Sequence, residues 1–192
     1  MASFRRVTPP AVEPVALEEL RAFLRVSHEA EDGLIARLGR AAAERVCEET
    51  GRALTAETWR MAADVEEGRP KGAFRAFALR RPPYLNFVEA RVAKDDGTSA
   101  ALALERVRVD ADGNAVWLRL DGLMADARVW RPVEVVWRCG VEAAADVPEA
   151  LRTAVMLLTA AAYERRDAMG APVAAMPDRV TALLAPYRMV RL

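Results

Sequence analysis

The stretch EDGLIARLGRAAAERVCEETG, from Glu31 to Gly51, decides how the chain is read. Leu34, Ile35, Leu38, Ala41, Ala42 and Val46 recur at steps of three and four residues, which draws one apolar stripe along a helix from Glu31 to Thr50. Gly51 stands where a left-handed residue closes a helix. Past Gly51 the apolar period falls from about 3.6 toward about 2. The chain therefore passes from helix to sheet at this point.

Upstream, Leu17, Leu20, Phe23 and Leu24 predict a shared inner face on a first helix from about Val15 to Val26. Glu18 and Glu19 lie in its first turn, where carboxylates meet the positive end of the helix dipole. The connection from Ser27 to Asp32 is short and acidic, so the two helices should lie antiparallel. Before them, Pro9, Pro10 and Pro14 predict an extended arm without regular hydrogen bonding.

Downstream, Thr58 to Ala63, Phe74 to Leu79, Leu85 to Val92, Ala101 to Val109, Ala115 to Leu120 and Val133 to Cys139 read as strands. Asp95-Asp96-Gly97 and Asp112-Gly113-Asn114 read as tight turns, Arg81-Pro82-Pro83 as a corner, and Glu66 to Gly72 as a mobile polar loop. One antiparallel sheet of about five or six strands is the expectation. Helices then return. Asp146, Pro148 and Glu149 suit an N-cap, a first-turn proline and a capping-box glutamate, for a helix running to about Met169 with Gly170 past its end. Ala154, Val155, Leu157, Leu158, Ala161 and Ala162 make it apolar nearly all round, so it should be the most buried helix. A last helix opens at Pro177, covers Val180, Leu183 and Leu184, and stops at Pro186, leaving Tyr187 to Leu192 with no local place to fold. The fold class is α+β: mainly a helical bundle of about four helices, with an antiparallel β-sheet insertion between helices 2 and 3. Its segments are residues 1–56 (arm and helices 1 and 2), 57–146 (β insertion) and 147–192 (helices 3 and 4 with a C-terminal tail).

Composition excludes several classes. Hydrophobic residues make up 53% and charged residues 29%, with 28 Lys and Arg against 28 Asp and Glu, so net charge exerts no pull toward nucleic acid or anionic membrane. Cys47 and Cys139 sit inside apolar patterns, as buried free thiols do. No secretory signal opens the sequence, and the apolar run Ala154 to Ala162 is too short to cross a bilayer. His28 is the only histidine and stands in a polar connection; serine occurs only at Ser3, Ser27 and Ser99, and no nucleophile motif or Cys/His metal spacing is present. Gly97 and Gly113 belong to turns and open no phosphate-cradling helix. Glu29, Glu31 and Asp32 are explained by a helix start. No catalytic, cofactor-binding or metal-binding residue is assigned. Two features remain. Arg165 and Arg166, in Tyr163-Glu164-Arg165-Arg166-Asp167, suit a helix C-terminus or a contact with another chain. The tail Pro186, Tyr187, Arg188, Met189, Val190, Arg191 and Leu192 is apolar, basic and suited to a strand, and a partner would cover its apolar side chains.

The order of short motifs carries a resemblance. Pro14-Val15, Leu17, Glu19 and Leu24-Arg25-Val26 come first, then Glu31-Asp32 with Leu34-Ile35. Ala42-Ala43, Glu48 and Thr50-Gly51-Arg52-Ala53-Leu54 follow, with Thr58-Trp59-Arg60 and Arg81-Pro82-Pro83. Val147-Pro148, Leu151-Arg152, Tyr163-Glu164, Arg166 and Leu183-Leu184-x-Pro186-Tyr187-Arg188 complete it. This order resembles the phage head–tail connector, or portal adaptor, family, which includes adaptors of phage-derived gene transfer agents. It departs from that pattern at Ala16, where family members often carry a capping Thr, Ser or Asp, a loss of about 1 kcal/mol locally.

The resemblance implies a structural subunit that is not an enzyme and takes no cofactor. Its partners would be the portal protein, neighbouring adaptor subunits in a homo-oligomeric ring (usually a dodecamer), and the next neck, stopper or tail protein. Double-stranded DNA would pass through the channel without sequence-specific binding, and no membrane would be involved. The place implied is the neck of a virion or phage-like particle assembled in the bacterial cytoplasm. The segment Pro186 to Leu192 would dock on the portal, with Arg165 and Arg166 as further ring or portal contacts. The competing reading is a nucleic-acid-binding helical module, with helices 1 and 2 as a helix-turn-helix; the acidic residues Glu29 to Asp32 stand against it, where a recognition helix would meet phosphate.

Overall fold

A computed structural model describes residues 2–64, 67–71, 74–93, 98–103, 105, 107–112, 115–121, 132–165 and 176–189. The chain divides into two compact units, one formed by Met1–Pro10 with Ala56–Gly140 and the other by Ala11–Thr55 with Val141–Leu192.

The first unit is antiparallel sheet. Its strands are β1 (Ser3–Thr8), β2 (Glu57–Asp64), β3 (Arg69–Lys71), β4 (Phe74–Leu79), β5 (Tyr84–Ala93), β6 (Ser99–Ala101), β7 (Val107–Asp112), β8 (Ala115–Asp121) and β9 (Pro132–Cys139). They form two sheets, one ordered β1-β2-β9-β5-β6 and one ordered β3-β4-β8-β7. This corrects the expected single sheet lying wholly between helices 2 and 3. The N-terminal arm is an edge strand, because Pro9 and Pro10 end it without disturbing Ser3 to Arg6, which pair with Ala62 to Trp59. The expected loop from Glu66 contains β3, and the expected strand from Ala101 is replaced by β6 and β7. Strands this short carry little alternation of their own, and pairing with a neighbour creates them. Of the expected turn residues, 95–97 and 113–114 lie outside the described residues. The flanking strands do pair antiparallel, with Ala93 opposite Ser99 and Asp112 opposite Ala115.

Register explains the core of the larger sheet. Val133, Val135, Trp137 and Cys139 alternate along β9 and are buried, while Glu134, Val136 and Arg138 are half-exposed. Met61 and Ala63 of β2, with Ala90 and Val92 of β5, fall opposite them and are buried on the same face. Phe4 stands edge-on to Trp137, with ring centres 6.4 Å apart. Arg80 lies 4.1 Å over the Phe4 ring and Arg81 lies 5.1 Å over Trp59, in cation–π geometry. Glu57, a buried carboxylate of this face, accepts the Trp59 indole N–H at 2.8 Å and faces Arg6 at 3.5 Å.

The second unit is helical, with α1 (Leu17–Leu24), α2 (Asp32–Thr50), α3 (Glu149–Glu164) and α4 (Asp178–Leu184), and short 3₁₀ turns at Ala144–Asp146 and Ala185–Tyr187. Val15, Leu20, Ile35, Ala42, Val46, Leu151, Ala154, Val155, Val180 and Leu184 pack together as its core. Phe23 does not join them and stays 43% exposed. Six helical residues turn the chain by about 600°, so Phe23 points about 120° away from Leu17. Ala41 is likewise exposed, and Gly39 and Ala43 occupy the inner face of α2. A Cβ on Gly39 would stand 2.6 Å from the Leu20 Cδ1 atom, so glycine lets α1 press onto α2.

The start of α3 also differs from expectation. Asp146 ends a 3₁₀ turn, Pro148 is the N-cap, and no side chain caps the helix. Glu149 turns forward to Arg152 at 3.1 Å and takes no part in a capping box. Leu157, Leu158 and Ala161 are only partly covered and Ala162 is exposed, so one face of α3 is buried and the helix is not enclosed all round. Met169 and Gly170 lie outside the described residues. Ala16 caps α1 without a side-chain hydrogen bond, as its methyl group requires.

Among the described residues, Trp137 is the largest fully buried side chain. Trp137→Ala should destabilise the protein by about 3–5 kcal/mol, measured by urea unfolding, through lost apolar burial and the cavity it leaves.

Candidate interaction site at the C-terminal segment

Helix α2 ends at Thr50, and Gly51 adopts a left-handed φ of 73° while its N–H bonds the Cys47 carbonyl at 2.9 Å. A helix end leaves its last carbonyls without partners inside the helix. One of them, on Thr50, accepts the backbone N–H of Met189 at 2.9 Å. Arg52 donates from Nε to the Tyr187 carbonyl at 2.9 Å. The Arg188 guanidinium pairs with the Glu49 carboxylate. The Met189 side chain passes beside Gly51, and a Cβ there would meet Met189 Cβ at an ordinary 3.5 Å. Buried Thr50 is held in turn: its hydroxyl bonds the Val46 carbonyl at 2.7 Å and lies 3.3 Å from the Arg52 N–H. Burial lowers the Arg52 pKa from its ordinary value, against the opposing charge interaction with Tyr187.

The tail therefore has a local place, which corrects the expectation that it has none. The 3₁₀ turn Ala185–Tyr187 carries it off α4, Tyr187 packs against the helical core, and the chain then runs past the C-terminus of α2. Pro186 and Arg188 are exposed, and Tyr187 and Met189 are half-buried. Val190, Arg191 and Leu192 lie outside the described residues. Arg165 is the exposed C-cap of α3 and makes no hydrogen bond or ion pair with the described tail residues; Arg166 lies outside the described residues. Glu49, Thr50 and Arg52 are site residues that the sequence does not single out, although Thr50-Gly51-Arg52 is one of its motifs. As sequence it reads only as a helix stop, because nothing local shows that a carbonyl and a guanidinium wait there for a distant segment.

The acidic residues between α1 and α2 are engaged within the helical unit. Arg21 lies 3.5 Å from Asp32 and 3.9 Å from Glu29, and the Tyr163 hydroxyl donates to Glu31. Arg152 of α3 reaches both oxygens of Glu19 at 2.7 and 2.6 Å. His28 is exposed. Among the described residues, no three His, Cys, Asp or Glu side chains are grouped to hold a metal ion. No helix of the described residues is long and apolar enough to cross a membrane. A shallow apolar groove of about 140 Å³ is lined by Val15, Leu17, Leu20, Ala36 and Gly39, with Glu13 and Arg40 among its polar lining. Burial raises the Glu13 pKa, opposed by Arg40 and reinforced by Glu44.

No family model matches the sequence, and no curated protein does. Solved structures match over almost the whole chain. One chain from the neck of an empty gene transfer agent particle, computed with C6 symmetry, is 25% identical with a TM-score of 0.76, covering 99% of this chain and 97% of that one. The chain shares a fold with gene transfer agent particle proteins. A second match, from the virion of a native gene transfer agent particle, is 26% identical with a TM-score of 0.75 and covers 98% of this chain and 96% of that one. A third, from the neck of a native particle computed with C12 symmetry, has the same fold at a TM-score of 0.73 and 22% identity, covering 99% of this chain and 97% of that one.

Two outcomes follow from the local chemistry. Gly51→Ala should destabilise the protein by about 1 kcal/mol in urea unfolding, from left-handed strain alone, since the space beside Met189 admits a methyl group. Glu13 binds its proton more tightly folded than unfolded, so the stability it contributes is present at low pH and lost as pH rises through its folded pKa. Glu13→Gln should therefore raise the unfolding midpoint at neutral pH. The gain should vanish below the unfolded value of about 4.3.

Proposed function

We propose that this chain is a structural head–tail adaptor: a ring-forming subunit, in a dodecamer, that sits beneath the portal of a tailed phage or gene transfer agent. In this reading it extends the DNA channel and joins head to tail. The observation that carries the proposal is the full-length likeness to chains of gene transfer agent particles, two of them from necks computed with C6 and C12 symmetry. A likeness that covers both units, at 25% and 26% identity, is hard to reconcile with a shared submodule alone. The work of such a subunit is geometric. Neighbouring copies meet head to tail through an interface whose rotation closes a ring, and a channel wall without strong net charge lets the duplex slide past. No chemistry on a substrate is required.

The partners in this reading are the portal protein above, copies of the same chain on either side, the next neck, stopper or tail protein below, and DNA contacted without regard to sequence. Pro186, Tyr187, Arg188, Met189, Val190, Arg191 and Leu192 form the portal-docking segment, with Arg165 and Arg166 as further contacts. Its location is the neck of the particle. The nucleic-acid-binding alternative gains no support, since the start of α2, where a recognition helix would meet phosphate, carries Glu31 and Asp32 beside Glu29.

The test is the native mass of the protein alone and mixed with the portal protein of its own gene cluster. A mass gain equal to a ring of subunits on the portal is the expected result. A chain ending at Met189 should keep its thermal midpoint within a few degrees and lose that gain. If the wild-type protein does not associate while both proteins are folded, the adaptor reading falls.

A further inference from the structure

We infer that Arg52, together with the Thr50 carbonyl, is the positioning device of the C-terminal docking segment; this rests on the adaptor reading above. A 3₁₀ turn of three residues supplies few hydrogen bonds to the segment that follows it. Here three consecutive residues are tied. The Tyr187 carbonyl is held by Arg52 and the Met189 N–H by Thr50, each at 2.9 Å, so main-chain ties stand on both sides of Arg188. Both depend on backbone groups of the segment, and together they set the course of the main chain from Tyr187 to Met189 whatever side chains it carries.

The chemistry of the tie argues for aim over mere cover. Tyr187 and Leu184 already supply this segment's apolar contact with the core. Arg52 instead places a partly desolvated guanidinium against a neutral carbonyl, and its lowered pKa records the unfavourable side of that placement. The two segments lie 135 residues apart, so nothing local in the sequence forces them together. Arg188 behaves differently. Its pair with Glu49 leaves the two side chains 42% and 29% exposed, so it contributes little net stability and can exchange Glu49 for an acidic group on a partner. The main-chain ties stay fixed while the Arg188 side chain changes partner. A pre-aimed segment loses less conformational freedom on docking, and affinity gains accordingly.

The experiment measures association of the full-length chain with the portal protein for wild type, Arg52→Ala, Arg52→Lys and Glu49→Ala, alongside thermal midpoint and hydrogen exchange at the Met189 amide. Arg52→Ala should weaken association about tenfold or more. It should accelerate Met189 exchange and shift the midpoint by only a few degrees. Arg52→Lys, which restores one donor, should recover part of the affinity. Glu49→Ala should tighten association, because it releases Arg188 for the partner without touching the main-chain ties. Association of Arg52→Ala at wild-type strength, or a loss no larger than its loss of folded protein, would overturn the inference. So would a Glu49→Ala variant that no longer binds, which tests the division of roles even if Arg52→Ala fails to fold. Failure of the wild-type chain to bind the portal would instead remove the adaptor reading.

Discussion

The helical unit depends on one close approach, that of Leu20 in α1 to Gly39 in α2. With no side chain at Gly39, α1 can settle deep enough for Leu20 to join Ile35, Val46, Ala154 and Val155 in one core. The polar links follow from that placement. Arg21 comes within reach of Asp32 on the α2 side, and Glu19 meets Arg152 of α3. None of these half-exposed ion pairs needs to contribute much energy; they select which way the apolar faces meet. With α2 seated in this way, its C-terminus becomes a fixed point that the tail can use.

The sheet unit rests on a different constraint, the register of β9 between β2 and β5. Along β9 the pairing with β2 places buried Val133 opposite buried Ala63 and buried Val135 opposite buried Met61. A slip of one residue would turn the whole apolar set outward. The N-terminal strand can therefore be an edge strand with a largely exposed pattern, since the strands beside it already determine the pairing.

Much of this was legible from local pattern. The stretch from Asp32 to Gly51, the opening of α4 after Pro177 and the alternation from Val133 to Cys139 were all read within a residue or two of their structural limits. The misreadings have specific causes. Phe23 was counted on a face from which helical rotation removes it. The start of α3 lies later than the sequence suggests, at Glu149 after the N-cap Pro148, because Asp146, Pro148 and Glu149 are each plausible cap residues and local pattern does not choose among them. The arm and β3 carry no strand signal in the sequence, because an edge strand or a three-residue strand needs no apolar alternation of its own. At the candidate site, the tail was visible as residues that want cover, while Glu49, Thr50 and Arg52 were visible only as the end of a helix.

The amino-acid sequence by itself determined the mixture of helices and antiparallel strands, core positions such as Leu20, Ile35, Ala42, Val46, Ala154 and Val155, the buried alternation of β9, and the absence of any recognisable catalytic or metal-binding motif. Those properties follow from side-chain chemistry and from periods that repeat within a few residues. Only the tertiary structure decided that the strands form two sheets, that the N-terminal arm belongs to one of them, and that Tyr187 to Met189 lie on the end of α2. Each of these joins groups far apart along the chain through backbone hydrogen bonds. Backbone donors and acceptors are the same at nearly every residue, so their choice of partner leaves almost no mark in the sequence.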